Sequence, residues 1–600
     1  MTTPSLPDLT LTQMLRAHAQ ERPDALALRQ KDFGIWQAYS WRDYYDRARH
    51  FGLGLRAMGL EEGGHVAIIS ENRVEWVIAQ MGIGMVRGIC VGVYPTSPWN
   101  EVAYVLEHSD ASIVVCEDQE QTDKVLEAWP QLPQLKYTIA IDMKGLRYYP
   151  EPPTAFEDIE ARGRAFEKDH PGLVDELLDG QRMDDTALMI YTSGSTGRPK
   201  GAMISWGNLH AAAPGLIELL QADERGSSLS YLPLCHVAEQ AVTNIAPVYA
   251  GSSVSFGESL RTVQEDLREI APTFFLGVPR IWEKLHSSIY IKIQETGRVR
   301  RALFDWAIRA CSPMATKSRV QWSLKEKGLY SLSYWLVFRA LQNFIGLRRC
   351  TIAMTGAAPI STGILEFFRT IGIPLLEVYG QTESTGVATA QPVDDVHLGT
   401  VGVAITGVEV ILGEHNEIIM RGGSMFKGYY KSDEATASTL KDGWLHTGDV
   451  GEWRDGQLKI VDRLKDIMIT AGGKNLSPTE IENTIKASPY IKECIVIGEA
   501  RKYVSALIQI DFDTVAKWAE QERIAYTTFR SLTEQAQVNE LIQAEVAKGN
   551  EQLPQVARIK RFHLLTKELD HDDNEVTATM KVRRSNIYEK YTDVIESLYV

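Results

Sequence analysis

Apolar positions recur at helical spacing over residues 41–60, close into a short unbroken run over 65–70, and return to helical spacing over 71–86. A period near 3.6 marks an amphipathic helix and a brief continuous apolar run a buried strand, so this stretch predicts helix, strand, helix. Further short β-rich runs at 112–116, 187–192, 252–256, 273–276 and 350–354 are separated by helical segments. That alternation predicts a layered α/β body. From about 398 to 462 the pattern shifts to short strands at 409–412, 417–420 and 458–461 joined by Gly-rich turns, a β-rich lobe. Beyond Arg463 the chain reads as a separate small α+β unit. Ser477-Pro478-Thr479-Glu480 predicts a capping box with Pro at the first helical position, and strands follow at 494–497 and 505–510.

The expected fold class is therefore α/β: a large N-terminal domain, 1–462, of layered sub-lobes plus the β-rich lobe, and a small mobile α+β domain, 463–600. Six hundred residues exceed what one core serves, which agrees with at least two domains. The 44% hydrophobic and 24% charged composition is that of a folded globule. A net charge of -15 and a pI near 5.5 exclude a nucleic-acid binder, which needs a basic face. Any phosphate must be held by local groups. The six cysteines are scattered without zinc-site or disulfide spacing, which points to a reducing, cytoplasmic setting. No secretory signal and no spanning helix are expected.

The strongest chemical signal is Tyr191-Thr-Ser-Gly-Ser-Thr-Gly-Arg-Pro-Lys-Gly201, directly after an apolar run. Gly194, Gly197 and Gly201 let backbone N–H groups approach a ligand, Thr192, Ser193, Ser195 and Thr196 supply hydroxyls, and Lys200 supplies charge. Such a loop suits a polyphosphate. Its spacing is not that of a P-loop. Gly52 and Gly54 formally fit a dinucleotide fingerprint but lie inside the 41–60 helix, so they are a decoy.

This loop resembles the phosphate-binding signature of the adenylate-forming superfamily, which includes acyl-CoA synthetases, peptide-synthetase adenylation domains and luciferases. The resemblance recurs in order at Leu232-Pro-Leu-Cys-His236, Thr355-Gly-Ala-Ala-Pro359, Val378-Tyr-Gly-Gln-Thr-Glu-Ser384, Trp444-Leu-His-Thr-Gly-Asp449, Asp462-Arg-Leu-Lys-Asp466 and Val576-Thr-Ala-Thr-Met-Lys581. It spans essentially the whole chain. It implies a two-step reaction in which ATP activates a carboxylic acid as its acyl-adenylate and coenzyme A then takes the acyl group.

The resemblance also implies roles. Glu383 is the expected Mg²⁺ ligand, with Thr196 of the phosphate loop as its companion, and Thr382 the hydroxyl on the α-phosphate. Gly356, Ala357, Ala358, Tyr379 and Gly380 would wall the adenine. Asp449 would hold the ribose diol, a task that suits a bidentate acceptor, and Arg463 would make a second ribose or phosphate contact. His236 stands open between a satisfied core histidine and a residue lining the acyl site. Lys581 would bridge carboxylate and α-phosphate. Met580 precedes it where many relatives carry Gly, as in the long-chain branch. Lys465 resembles the hinge between two domain orientations, and Gly472-Gly473 the loop lining the pantetheine channel.

Gly277-Val-Pro-Arg-Ile-Trp-Glu-Lys284 and the helical insertion running to Arg349 resemble the long-chain fatty acyl-CoA synthetases. A ligase for bulky cyclic or steroid-type acids is the nearest alternative, and a nucleotide-binding scaffold without catalysis the alternative from another class. Retention of Glu383, Asp449, Lys465 and Lys581 together disfavours the scaffold. Arginines 298, 300, 301 and 309 beside Trp306, and the aromatic stretch 330–349, suit either a peripheral contact at the inner membrane face or a helix packed on the protein's own core. No motif speaks to oligomeric state.

Overall fold

The computed structural model describes residues 6–192, 198–472, 474–570, 573–577 and 581–600. An eight-stranded sheet is the frame of the larger part of the molecule. Its order is Gly428–Tyr429, Lys200–Ser205, Thr186–Thr192, Ile89–Val93, His65–Ile69, Ile113–Cys116, Tyr137–Ala140 and Thr154–Ala155. Strands such as Ile113–Cys116 are buried at every position, because helices cover both faces of a parallel sheet and the sequence must be apolar throughout. The helix Trp41–Ala57 starts at a complete capping box on Ser40 and Asp43. A Cβ on its Gly52 would lie 2.3 Å from the Gly82 carbonyl oxygen and one on Gly54 2.1 Å from that of Ile159. These two glycines exist for helix-on-helix contact, and the dinucleotide pattern is coincidental.

A second sheet runs Phe274–Gly277, Ile352–Thr355, Leu375–Gln381, Gly386–Ala390 and Val403–Ala404, the first three parallel. A third, of four strands, carries Ser227–Ser230, Ser253–Phe256, Leu26–Asp32 and Ile35–Ser40. The last two were not legible in the periodicity. The β-rich lobe is antiparallel, with Val408–Leu412, Glu417–Gly422, Trp444–Arg454 and Gln457–Arg463 in one sheet. Each predicted strand has an observed counterpart, most within a residue or two, whereas Ile89–Val93, Tyr137–Ala140, Lys200–Ser205, Ser227–Ser230, Leu375–Gln381 and Gly386–Ala390 were not predicted.

From Met468 onward the chain builds cores of its own. The strands Ile491–Ile497, Val504–Ile510 and Ile559–Leu564 make one sheet, packed on the helices Pro478–Ile485 and Ala536–Gln552. The capping box expected at Ser477 forms only by half. Ser477 Oγ accepts from the Glu480 N–H at 3.1 Å, but the hydroxyl proton goes to Asp462 and no return bond from Glu480 is made. The insertion after Gly277 is helical, with helices Pro279–Gln294, Arg298–Cys311 and Leu324–Ser333. Trp282 anchors it from full burial, its indole N–H shared between the carbonyls of Gly277 at 2.9 Å and Met354 at 3.2 Å. Among the described residues no helix is long and apolar enough to cross a membrane.

Candidate active site

Three elements of the larger part and one turn of the smaller part converge. The strand Thr186–Thr192 carries Thr192 at its end, and the chain returns as Lys200–Ser205, with Thr192 paired to Lys200 and Tyr191 to Gly201. Between them, Ser193, Gly194, Ser195, Thr196 and Gly197 lie outside the described residues. Lys200 sits with its ammonium 5.2 Å from the centre of the Tyr429 ring. The Tyr429 hydroxyl donates to Glu383 Oε1 at 2.6 Å. The base of the phosphate loop is thereby tied to the second motif through a tyrosine that no motif marked.

Glu383 follows the strand Leu375–Gln381 in a short turn, Thr382–Ser384, held from behind by the Phe426 N–H donating to the Glu383 carbonyl at 2.8 Å. Thr382 is buried beside it. Gly380 has no room for a side chain, since a Cβ would fall 1.8 Å from the Gly386 carbonyl oxygen. Gly356, Ala357 and Ala358 form the turn leaving the neighbouring strand Ile352–Thr355. Ala357 takes a left-handed φ of 67° and, with Ala358, faces solvent. One carboxylate with a free oxygen fits Mg²⁺, which takes one or two carboxylates and fills its sphere with nucleotide phosphates.

Asp449 is the best-held group. Its Oδ2 accepts from the Tyr379 hydroxyl at 2.6 Å and the Gln381 amide at 2.8 Å, and its Oδ1 faces Arg463 Nε at 3.5 Å. The pairing is set by sheet register, which puts Asp449 opposite Arg463. Burial raises the Asp449 pKa, against the pull of Tyr379 and Arg463. Burial, with the Asp449 charge second, pushes the Tyr379 phenol well up, so it stays a donor. Gln381 was missed as a site residue although it stood inside the Tyr379 to Ser384 motif. Tyr429 left no sequence signal.

Lys581 enters from the small domain on a turn in which Thr577 N–H donates to the Lys581 carbonyl at 2.8 Å and Lys581 N–H to Thr577 Oγ1 at 3.1 Å. Met580, before it, lies outside the described residues. The residue keeps surface exposure. Desolvation first, then the Arg463 charge, lower its pKa, while Asp449 and Glu383 oppose them. His236 caps the short helix Val237–Gln240, its Nδ1 accepting from the Ala238 N–H at 3.1 Å. Desolvation, helped by the Lys581 charge, takes its pKa down to about 4, so the ring is neutral with its proton on Nε2. Glu383, Asp449, Arg463, Lys581 and His236 thus form one electrostatic group. Lys465 stands apart, exposed on the turn after Arg463. Gly472 lies farther on in the turn closed by Thr470 N–H to the Lys474 carbonyl at 3.0 Å, and Gly473 lies outside the described residues.

Comparison with known proteins meets this geometry. The sequence profile of the AMP-binding enzymes matches residues 15–430, and that of the AMP-binding enzyme C-terminal domain residues 465–600. The chain belongs to the AMP-binding enzyme family. Among curated relatives, the long-chain-fatty-acid–CoA ligase ACSBG2 of Xenopus laevis is 31% identical over 628 residues, 99% of this chain and 84% of its own. The long-chain-fatty-acid–CoA ligase FadD15 of Mycobacterium tuberculosis is 30% identical over 598 residues, 98% and 96% of the two chains. Among solved structures, the anthranilate CoA ligase AuaEII in complex with anthranoyl-AMP superposes with a TM-score of 0.71 at 19% identity, covering 100% of both chains. The o-succinylbenzoate CoA synthetase MenE of Bacillus subtilis, in complex with ATP and magnesium ion, gives 0.66 at 20% identity, over 95% of this chain and 98% of its own. At those identities the structural likeness is one of fold.

Proposed function

We propose that this protein is an AMP-forming acid–CoA ligase for long-chain fatty acids, using ATP, Mg²⁺ and coenzyme A. The observation that supports the reading is the convergence of Tyr379, Gln381 and Arg463 on the buried Asp449, with Glu383 held by Tyr429 beside Lys200, which brings residues of separate motifs to one place. A carboxylate oxygen attacks the α-phosphorus and pyrophosphate leaves, so charge builds on the phosphate oxygens and must be neutralised by fixed groups. Lys581, between carboxylate and α-phosphate, supplies the cation for this step. Asp449 takes the ribose hydroxyls, steadied by Tyr379 and Gln381, with Arg463 as a further ribose or phosphate contact. Thr192 through Gly197 and Lys200 hold the β- and γ-phosphates, and Thr382 the α-phosphate. Glu383, with Thr196, would hold Mg²⁺, which would offset phosphate charge. Gly356, Ala357, Ala358 and Gly380 line the adenine side.

His236, neutral with Nε2–H free to donate, steadies an oxygen of the acid. In the second step the CoA thiol attacks the adenylate carbonyl, AMP leaves, and the thiol proton is lost. The thiol must come from a side that the adenylation arrangement closes, so the domain from 463 onward turns about Lys465 and brings Gly472 and Gly473 to the thiol arm. The long-chain preference is supported by the two relatives named for that activity and by the Trp282-anchored insertion. The enzyme works in the cytoplasm and as a peripheral protein, supported by six buried, unpaired cysteines and by the exterior of that insertion.

The deciding experiment measures kcat/KM by pyrophosphate release for saturated acids from acetate to stearate, with a cyclic and a steroid-like carboxylate alongside. An apolar tunnel gains ~0.8 kcal/mol per buried methylene, so the values should climb with chain length. A flat series, or a ring acid above every straight chain, overturns the fatty-acid reading. No pyrophosphate with any acid overturns the ligase.

A further inference from the structure

The chain carries a net charge of -15, yet residues 298–349 hold eleven Lys and Arg against two Asp and Glu. Seven of the eleven cations lie on the helices Arg298–Cys311 and Leu324–Ser333 and on the continuation of the second to Phe344, which pack against one another. All these cations are exposed except Arg339, which is half-buried. Among the described residues their one ion pair is Lys317 with Glu326. The positive charge is therefore presented outward.

The same face is apolar where solubility alone would make it polar. Leu324 is 89% exposed, Trp335 63% and Leu336 and Leu332 51% each, with Trp306 on the adjacent helix. They recur at helical spacing, while Val337, Phe338 and Leu341 turn inward to the core that holds Trp282. The pattern is of two separate faces, one satisfied by the protein and one unpartnered. Arg339 lies over the Trp335 ring at 4.8 Å, which sets a guanidinium at the level where the indole ends.

We infer that the outer face of these helices is a docking surface for an anionic lipid bilayer, a step that builds on the peripheral enzyme proposed above. The exposed leucines and tryptophans stand out from the helices, which suits insertion among lipid chains. Basic side chains can bury their stems and leave their charge at the phosphate level. An anionic surface also complements a local +9 and is repelled by the acidic remainder, which orients the molecule with this face down.

Flotation of the full-length protein with vesicles of phosphatidylcholine, with and without phosphatidylglycerol, tests this. Binding is expected to the anionic vesicles, weakening as salt rises. Two exposed sets of changes should each lower it at least about tenfold: Trp335→Ser with Leu336→Ser, and Arg300→Glu with Arg301→Glu and Arg309→Glu. Pyrophosphate release with octanoate, which is soluble without a bilayer, should be unchanged in both, showing that they fold. The inference is overturned by absence of vesicle binding, by equal binding to neutral and anionic vesicles, by variants that bind like the parent, or by retention on immobilised polyglutamate with none on vesicles. Vesicle binding without ligase activity in the parent would instead overturn the proposed function and leave the surface standing.

Discussion

Asp462, next to last in the final strand of the β-rich lobe, accepts a hydrogen bond from the hydroxyl of Ser477, in the small domain, at 2.6 Å. Thr479 adds its hydroxyl at 3.0 Å and its backbone N–H at 3.3 Å. Lys465 lies between the two partners in sequence, so, if it is the hinge as proposed, a turn about it would part them. Farther out, Arg583 meets Glu101 at 3.3 Å and Lys517 meets Glu295 at 2.6 Å. The Lys517 pair is exposed and the Arg583 pair partly so, and such pairs contribute little alone. Asp462 is buried, and its bonds are the clasp on this orientation.

Replacing Asp462 with Ala should therefore slow adenylation relative to transfer from pre-formed acyl-adenylate, by roughly tenfold, since hydrogen bonds to a charged acceptor contribute ~1.5–3 kcal/mol each. Ser477→Ala should do the same to a smaller degree. The double variant should add little to Asp462→Ala, as the two share one interaction. Single-turnover rates of the two half-reactions decide it, and equal slowing of both would reject the clasp.

Tyr379→Phe removes one of the two neutral donors on Asp449. The expected result is a rise of about tenfold in the KM for ATP with the KM for the acid unchanged, from the same range for a charged acceptor. Gln381→Ala should behave alike. A change confined to the acid KM would show that Asp449 does not face the nucleotide.

Lys581→Ala should cost adenylation at least ~3 kcal/mol, about a hundredfold, while spare adenylate is still transferred to CoA. The pH dependence has a fixed sign. Because the Lys581 pKa is lowered, its ammonium is lost as pH rises through a value below the usual 10.5, so adenylation should fall on that alkaline limb. Lys581→Arg should keep its charge and move the limb upward. An alkaline limb that survives in Lys581→Ala would assign it to another group.

Glu377 is buried with its Oε2 lacking a hydrogen-bond partner among the described residues, and burial pushes its pKa up to about 8. A folded pKa above the unfolded 4.5 means that the native state holds the proton more tightly. Its contribution to stability is whole below the unfolded value and declines as pH rises through 8. Glu377→Gln should thus melt higher than the parent at pH near 8 and lose its advantage toward pH 5. Thermal melts across that range, without ligand, check the slope; parallel curves would show that Glu377 does not titrate there.

Much of this molecule was readable in the chain, and the reason is local. The strands 112–116 and 187–192 announce themselves because a strand covered on both faces must be apolar at every position. The motifs are contiguous because a phosphate loop or a tight turn such as Gly380 against Gly386 is shaped by neighbours in sequence. What the chain did not disclose is what burial and distance decide. Tyr429 became a partner of Glu383 because the short strand Gly428–Tyr429 adds to the edge beside Lys200–Ser205. Ser477 read as the start of a capping box; it does cap the helix, but its hydroxyl also donates to Asp462, which no local pattern disclosed. The helices of 298–349 showed basic and aromatic residues in sequence, but two arrangements satisfied that composition, core packing or an outward face. Only the tertiary structure separated Phe338, fully buried, from Trp335, three residues earlier and open to solvent. Periodicity fixes which residues share a face, whereas the direction that face points depends on everything packed behind it.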